Sequence, residues 1–289
     1  MKLLNYVANN RRRVGAKTDA GIVDLTELLP NAPTEIIEIL PLDNNSLKEI
    51  SDRVATARSF IALDTVRVLP PVLNPRKFLG VGGNFMSHID EVRHLGIKEP
   101  KYPVWFNKQV TCVNGPFDPI YAPLDSQELD YEGEMGLVIG KQSRRLSVKE
   151  ALDAVAGYVV CNDVSIRDWQ MRAQTATIGK SFDTHGPFGP WLVTPDEIGD
   201  PGTLRIRTWV NGELRQDGST AEMIFSCSEL VSDLSHRCTL EVGDVLSLGS
   251  PSGVGGLRNP PAYLKVGDVV RVEVDKIGAI ENTVCAEPQ

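Results

Sequence analysis

The segment Asp130-Tyr131-Glu132-Gly133-Glu134-Met135-Gly136-Leu137-Val138-Ile139-Gly140 opens with three acids and closes on an apolar run. Read as a β-strand, it puts Asp130, Glu132 and Glu134 on one face, because side chains alternate with period two. Carboxylates gathered in this way repel each other unless a cation or raised pKa values relieve the repulsion. Gly133 and Gly136 suggest close approach of a backbone or a ligand. A further acid, Asp163, follows Asn162 at the end of the buried-type run Tyr158-Val159-Val160-Cys161. Together these carboxylates offer all-oxygen ligation, which suits a hard divalent cation such as Mg2+, Mn2+ or Ca2+. The same pattern fits equally an exposed edge strand whose acids guard against aggregation.

Outward from this segment the chain is rich in short β-type runs. Gly157–Cys161, Trp191–Val193, Leu204–Val210, Val245–Leu248 and Val269–Val274 read as strands, and Asn211-Gly212 is a hairpin turn signal. Helices are few. Ser147–Val155 begins with the capping-box pattern Ser147-x-x-Glu150, and Cys227–Ser235 puts Leu230, Val231 and Leu234 on one face. Toward the start, strands are expected near Met1–Val7 and Ile22–Asp24 and helices over Pro33–Leu40 and Ser46–Ala62, the last capped by Ser46 with Glu49. Pro70-Pro71 and Asn74-Pro75 punctuate the chain there. The reading is a small N-terminal accessory α/β domain over 1–72 and a larger mixed-β domain over 73–289. Scattered strands with few helices argue against a TIM barrel or a doubly wound sheet and for an α+β class.

Composition narrows the partners. Lys plus Arg number 30 and Asp plus Glu 38, a net charge of −8, which disfavours nucleic acid because phosphate neutralisation needs a basic face. No run approaches the ~20 apolar residues of a membrane helix. The short apolar start is followed by Arg11-Arg12-Arg13, the reverse of a secretory signal. Five cysteines without a C-x-x-C pair indicate neither a disulfide framework nor a zinc knuckle. A cytoplasmic protein acting on a small molecule, with no membrane or nucleic-acid partner, is expected. Familiar loops fail in detail. Phe85 stands where Gly80-Val81-Gly82-Gly83 would need its third dinucleotide glycine, Gln174 breaks a P-loop ending at Gly179-Lys180-Ser181, and Pro251 replaces the nucleophile of an elbow at 249–253.

Six motifs in order resemble the fumarylacetoacetate hydrolase family between about Leu73 and Val284. Glu132-Gly-Glu134 resembles its E-x-E metal motif and Asp163 its third metal carboxylate. Asn162-Asp-Val-Ser-Ile-Arg167-Asp-Trp-Gln170, Lys180-Ser-Phe-Asp183, Gly186-Pro-Phe-Gly-Pro-Trp191 and Gly249-Ser-Pro-Ser-Gly-Val-Gly255 resemble four further runs. Asn84-x-x-x-His88-x-x-Glu91 resembles the family's catalytic His–Glu lid. Ser250 replaces the usual threonine. Val81 stands where the long fumarylacetoacetases carry an extra metal-binding Asp, which points to the shorter bacterial-type branch.

The resemblance implies a mixed β-sheet roll or sandwich as catalytic domain and one divalent cation, Mg2+ first among candidates, on Glu132, Glu134 and Asp163. It implies a hydrolase that cleaves a C–C bond in a 2,4-dioxo acid, of acylpyruvate or diketo-deoxy sugar acid type, through a metal-stabilised enolate. Decarboxylation, tautomerisation or dehydration of an oxo acid at the same metal, or oxo-acid binding without catalysis, are the alternatives. His88 would be the base, oriented by Glu91, with Lys180 adding positive charge. Without the resemblance, His88 reads as a solvated surface residue. If 85–95 is a helix, Met86, Ile89 and Val92 form a second face that packs over the pocket as a lid, ordered by substrate. Arg167, Gln170 and Ser250 would bind substrate, although Arg167 could instead pair with Asp168 or another local acid. Asp183 is expected to hold Lys180 or a metal-bound water, and a homodimer is expected from the family.

Overall fold

The computed structural model describes residues 1–41 and 43–288. Among these, the first strands are β1 (Lys2–Ala8), β2 (Arg11–Thr18), β3 (Gly21–Asp24), β4 (Arg67–Leu69), β5 (Phe78–Gly82), β6 (Val104–Lys108), β7 (Val113–Asn114), β8 (Ile120–Ala122) and β9 (Leu129–Asp130). They continue as β10 (Gly133–Ile139), β11 (Val155–Asn162), β12 (Ser165–Ile166), β13 (Gly186–Val193), β14 (Arg205–Val210), β15 (Glu213–Ser219), β16 (Val245–Ser247), β17 (Val269–Val274) and β18 (Gly278–Ala286). The α-helices are α1 (Leu25–Leu28), α2 (Asn44–Ala55), α3 (Met86–Val92), α4 (Arg167–Gln170), α5 (Pro195–Ile198) and α6 (Cys227–Arg237).

A large mixed sheet runs β3-β2-β1-β13-β11-β10-β16-β5-β6, with β4 added on β1 and β7 on β13. A second sheet, β15-β14-β17-β18-β8, lies against it across β10, β11 and β13. Alternation along β10 separates two cores. Met135, Leu137 and Ile139 join Ile206, Val210, Val270 and Val272 of the second sheet. Val138, on the opposite face, joins Val159, Cys161, Phe188 and Val245 with Leu3, Val14, Ile36, Ile50 and Val72 from the N-terminal region. The architecture is the α+β, mixed-sheet class expected. The 1–72 segment contributes its strands to the large sheet itself, where Lys2 and Leu3 pair with Val193 and Leu192.

Several local expectations change. Arg11–Thr18 is a strand that the charged sequence conceals. The Asn9-Asn10 turn before it, with φ of 49° and 57°, makes the hairpin. Asp43, not Ser46, caps α2 by accepting the Ser46 N–H at 2.7 Å, and the helix stops at Ala55. Pro33–Leu40 holds only a 3-10 turn at Ile36–Ile39. The Ser147–Glu150 pair forms its hydrogen bonds, yet the chain makes a 3-10 turn at Ala151–Ala154 and enters β11 at Val155. The β-branched run through Val160 finds strand partners on both sides, and that outweighs the cap. No helix among the described residues is long and apolar enough to cross a membrane.

Candidate active site

Strand pairing assembles the acids. Along β10 and β11, Gly133 faces Asn162 and Glu134 faces Cys161. One step before this ladder, Asp163 N–H donates to the Glu132 carbonyl at 2.8 Å, so Asp163 lies opposite Glu132. Glu132, Glu134 and Asp163 thus share one face, and an oxygen of each lies within 4.8 Å of the others. All three are buried. Walking down that face of β10 leads from Val138 in the apolar core past Gly136, where a Cβ would press on Cys161 Sγ at 2.5 Å, to the carboxylates.

Buried carboxylates need compensation, and cations supply it unevenly. Lys180 Nζ donates to Glu132 Oε2 at 2.8 Å and Asp163 Oδ2 at 2.6 Å. Lys108 Nζ, at the end of β6, donates to Asp163 Oδ1 at 2.6 Å and also bonds the Lys180 carbonyl. Arg167 Nη1 donates to Glu132 Oε1 at 2.6 Å. Burial opposes ionisation of Glu132, but Lys180, Arg167 and His88 outweigh it and hold its carboxyl well below the usual range. Among the described residues Glu134 has no cationic hydrogen-bond partner. Its Oε2 accepts from Ser247 Oγ at 2.6 Å and Gly249 N–H at 2.8 Å. Burial first, then Asp163 and Glu132, push its carboxyl up to about 8. A divalent cation fits this donor set: three hard oxygens converge, and the carboxylate least served by the protein's own cations borders the gap.

Asp130 does not join the triad, contrary to the single-face reading. The strand breaks at Tyr131 and Glu132 between β9 and β10, and the buried Asp130 carboxylate turns to Arg167 Nε at 2.8 Å. Arg167 therefore pairs with Asp130 and Glu132 and not with Asp168. Its Nη1 also donates to Gln170 Oε1 at 2.9 Å, while its buried Nη2 has no hydrogen-bond partner among the described residues. Ser250 Oγ faces inward, donating to the Gly133 carbonyl at 3.1 Å and accepting from Gln216 Nε2 at 2.7 Å. Asp183 makes no hydrogen bond to Lys180 among the described residues.

The His–Glu pair lies on α3. Its start is pinned by Asn84, whose buried amide donates to the Leu248 carbonyl at 2.8 Å and accepts from Phe225 N–H at 2.9 Å. Ile89 and Val92 are buried beneath the helix. His88 Nδ1 lies 3.2 Å from Glu91 Oε2, which orients the ring and leaves Nε2 for chemistry. Glu91 also accepts the Gly253 N–H, at 3.1 Å to Oε1 and 3.3 Å to Oε2. The helix is thereby docked on the glycine loop.

Lys108, Ser247 and Gln216 were not found from the sequence. Lys108 stands 55 residues from Asp163, and no local spacing marks it. Gln216 reaches from β15 to bond the Gly133 N–H at 2.9 Å, a contact made between sheets.

Known proteins resemble this chain over most of its length. Residues 77–285 match the fumarylacetoacetate hydrolase C-terminal family model. A mitochondrial oxaloacetate tautomerase of Xenopus laevis is 40% identical over 98% of this chain and 90% of its own length. A fumarylacetoacetate hydrolase from psychrophilic Exiguobacterium antarcticum superposes with a TM-score of 0.83 at 36% identity, over 99% of this chain and 100% of that one. Maleylpyruvate hydrolase from Sphingobium sp. SYK-6, solved with manganese(II) and pyruvate, gives a TM-score of 0.82 at 26% identity, each chain covered in full. The Xenopus relative is named as mitochondrial, whereas the cytoplasm is the compartment expected from this sequence. Motif order, fold and the carboxylate site thus converge, and the chain belongs to the fumarylacetoacetate hydrolase family.

Proposed function

We propose that this protein is a divalent-metal-dependent tautomerase that interconverts the keto and enol forms of a 2-oxo dicarboxylic acid of the oxaloacetate type. The observation that carries the reading is the His88–Glu91 pair, docked on the glycine loop and electrostatically coupled to Glu132 of the buried three-carboxylate cluster. The tautomerase relative, aligned over nearly the whole chain, supports isomerisation ahead of bond cleavage.

Enolisation needs a base at C3 and positive charge at the 2-oxo oxygen. His88 Nε2 takes the C3 proton, the electron pair closes the C2–C3 double bond, the 2-oxo oxygen takes a proton from water to become the enol hydroxyl, and His88 returns its proton to solvent to be neutral again. Glu91 holds the imidazole through Nδ1, fixing the tautomer that leaves Nε2 as acceptor. Lys180, fixed as a cation between Glu132 and Asp163, offsets charge developing on the substrate. A divalent cation on Glu132, Glu134 and Asp163, when bound, supplies Lewis-acid polarisation of the 2-oxo group. We take Mg2+ as that cation, with Mn2+ or Ca2+ able to replace it. Arg167 Nη2, buried and unpartnered, is the donor for a substrate carboxylate, and Gln170 steadies the guanidinium. The homodimer expected from the family is part of the proposal.

Freshly dissolved enol oxaloacetate tests the reading. With Mg2+, the protein should accelerate loss of enol absorbance, chelation should abolish the effect, and His88→Ala should lower kcat by roughly 100-fold or more. A second reading is favoured by the likeness to maleylpyruvate hydrolase: C–C hydrolysis of a 2,4-dioxo acid. Unaccelerated oxaloacetate enol decay, with an acylpyruvate split to pyruvate and a carboxylic acid, would replace the first reading by the second.

A further inference from the structure

The glycine loop at 253–256 is gripped from two sides. On the lid side, Glu91 accepts the Gly253 N–H. On the other, Asp130 Oδ1 accepts the Gly255 N–H at 2.7 Å and Oδ2 accepts the Gly256 N–H at 2.9 Å. The same carboxylate accepts the Tyr131 N–H at 2.9 Å and Arg167 Nε at 2.8 Å, and Asp130 is completely buried. The Tyr131 hydroxyl adds a bond to the Gly253 carbonyl at 3.0 Å. Bare backbone permits this approach: a Cβ on Gly255 would sit 2.6 Å from Asp130 Oδ1, and one on Gly256 3.2 Å from Oδ2. One carboxylate therefore ties the loop that docks the lid to the guanidinium beside Glu132.

We propose that Asp130 is a positioning residue that couples lid docking to the substrate-binding arginine. It holds the loop so that the Gly253 N–H meets Glu91, and it holds Arg167 so that Nη2 is the donor left for substrate. The arginine half of this inference rests on the proposed function; the lid half does not. All four contacts are donors to Asp130, two on each oxygen. Asparagine in either orientation would set an NH2 against two of those donors, although its shape is the same.

Trypsin reads the lid, since Arg93, Lys98 and Lys101 are exposed just beyond α3. The probe is oxalate with Mn2+, a planar dianion presenting the oxygens of a 2-oxo acid. In the wild type, oxalate should slow cleavage in 93–101 by about tenfold, and in Asp130→Asn by less than about twofold, because proteolysis follows the open population. Mn2+ affinity by calorimetry should stay within about threefold, while KM for oxaloacetate should rise about tenfold and kcat should fall more than about threefold, because the undocked helix carries His88. Glu91→Gln should lose the same protection, and the double variant should be no worse than either single one. Absence of oxalate protection in the wild type, full protection in Asp130→Asn, or additive losses in the double variant would overturn the proposal. If Asp130→Asn does not fold, Gly256→Ala perturbs the same contact more gently, and unchanged protection there is equally fatal. A wild type with coupled lid protection but no tautomerase activity would sink the functional reading and leave the coupling standing.

Discussion

Glu134 is the carboxylate of the triad that the protein's own cations serve least, and its neighbours Ser247 and Gly249 donate only to Oε2. Glu134→Gln keeps a carbonyl oxygen for those donors and removes the charge, so Mn2+ affinity should fall at least tenfold, roughly 1.4 kcal/mol or more, by calorimetry. His185 makes a different prediction. Its Nε2 donates to the Tyr121 carbonyl at 2.8 Å, the ring stacks on Phe182, and burial lowers its pKa to about 4. A histidine whose folded pKa lies below its unfolded value of 6.5 stabilises the fold above pH 6.5, and that stability drains away as pH falls toward 4. The loss is roughly 3 kcal/mol in all. Urea midpoints at pH 7 and pH 4.5 should therefore differ less in His185→Gln than in the wild type. At this scale the shared face of Glu132 and Glu134 was legible because residues two apart in an extended segment point the same way, although the pattern alone fitted a guarded edge strand equally. Asp130 followed the same rule on paper and broke it in the fold, because the strand is interrupted at Tyr131 and Glu132. Lys108 was illegible because its partnership with Asp163 spans sheet strands, not sequence spacing.

Among the elements, α6 forms as expected, with Ser226 and Glu229 completing a reciprocal capping box and Leu230, Val231 and Leu234 buried. Ser226→Ala should cost about 1 kcal/mol in urea denaturation. Helix α3 should behave otherwise. It has seven residues, no side-chain N-cap bond, and an anchorage of Ile89, Val92 and the Glu91 contact. Such a segment opens locally before the molecule unfolds. Ile89→Ala should thus raise tryptic cleavage at Arg93 several-fold while shifting the global urea midpoint little, since the lost packing falls on a locally opening unit. Element type was readable wherever periodicity and turn chemistry agreed, as at Asn211-Gly212, with φ of 53° and 79°, between β14 and β15. It was misread where they competed, as at Ser147–Glu150, where the Ser147 hydroxyl and N–H both donate to the Glu150 carboxylate in front of a segment that sheet pairing claims.

Across the whole molecule, one sheet runs from the N-terminal strands to β6, and the apolar cluster containing Val159, Phe188 and Leu192 is shared with Leu3, Ile36 and Ile50. The prolines at 70, 71 and 75 were visible in sequence, while the β1–β13 pairing that carries the sheet across them was not, since register between distant strands leaves no local trace. A fragment of 73–289 would expose that apolar face, and we expect it to aggregate in size-exclusion chromatography, whereas the full chain elutes as a defined species. The arrangement divides the chemistry between two kinds of support. On the proposed function, the acids that would hold the cation are placed by backbone register at the large sheet, whereas the proposed base rides on a short helix held by a few contacts. Heritable change can therefore reach one without disturbing the other. A library confined to residues 85–101 would sample new substrates and proton-transfer geometries over an unchanged cation site, and selection for altered reactions should enrich substitutions there before any in β10 or β11.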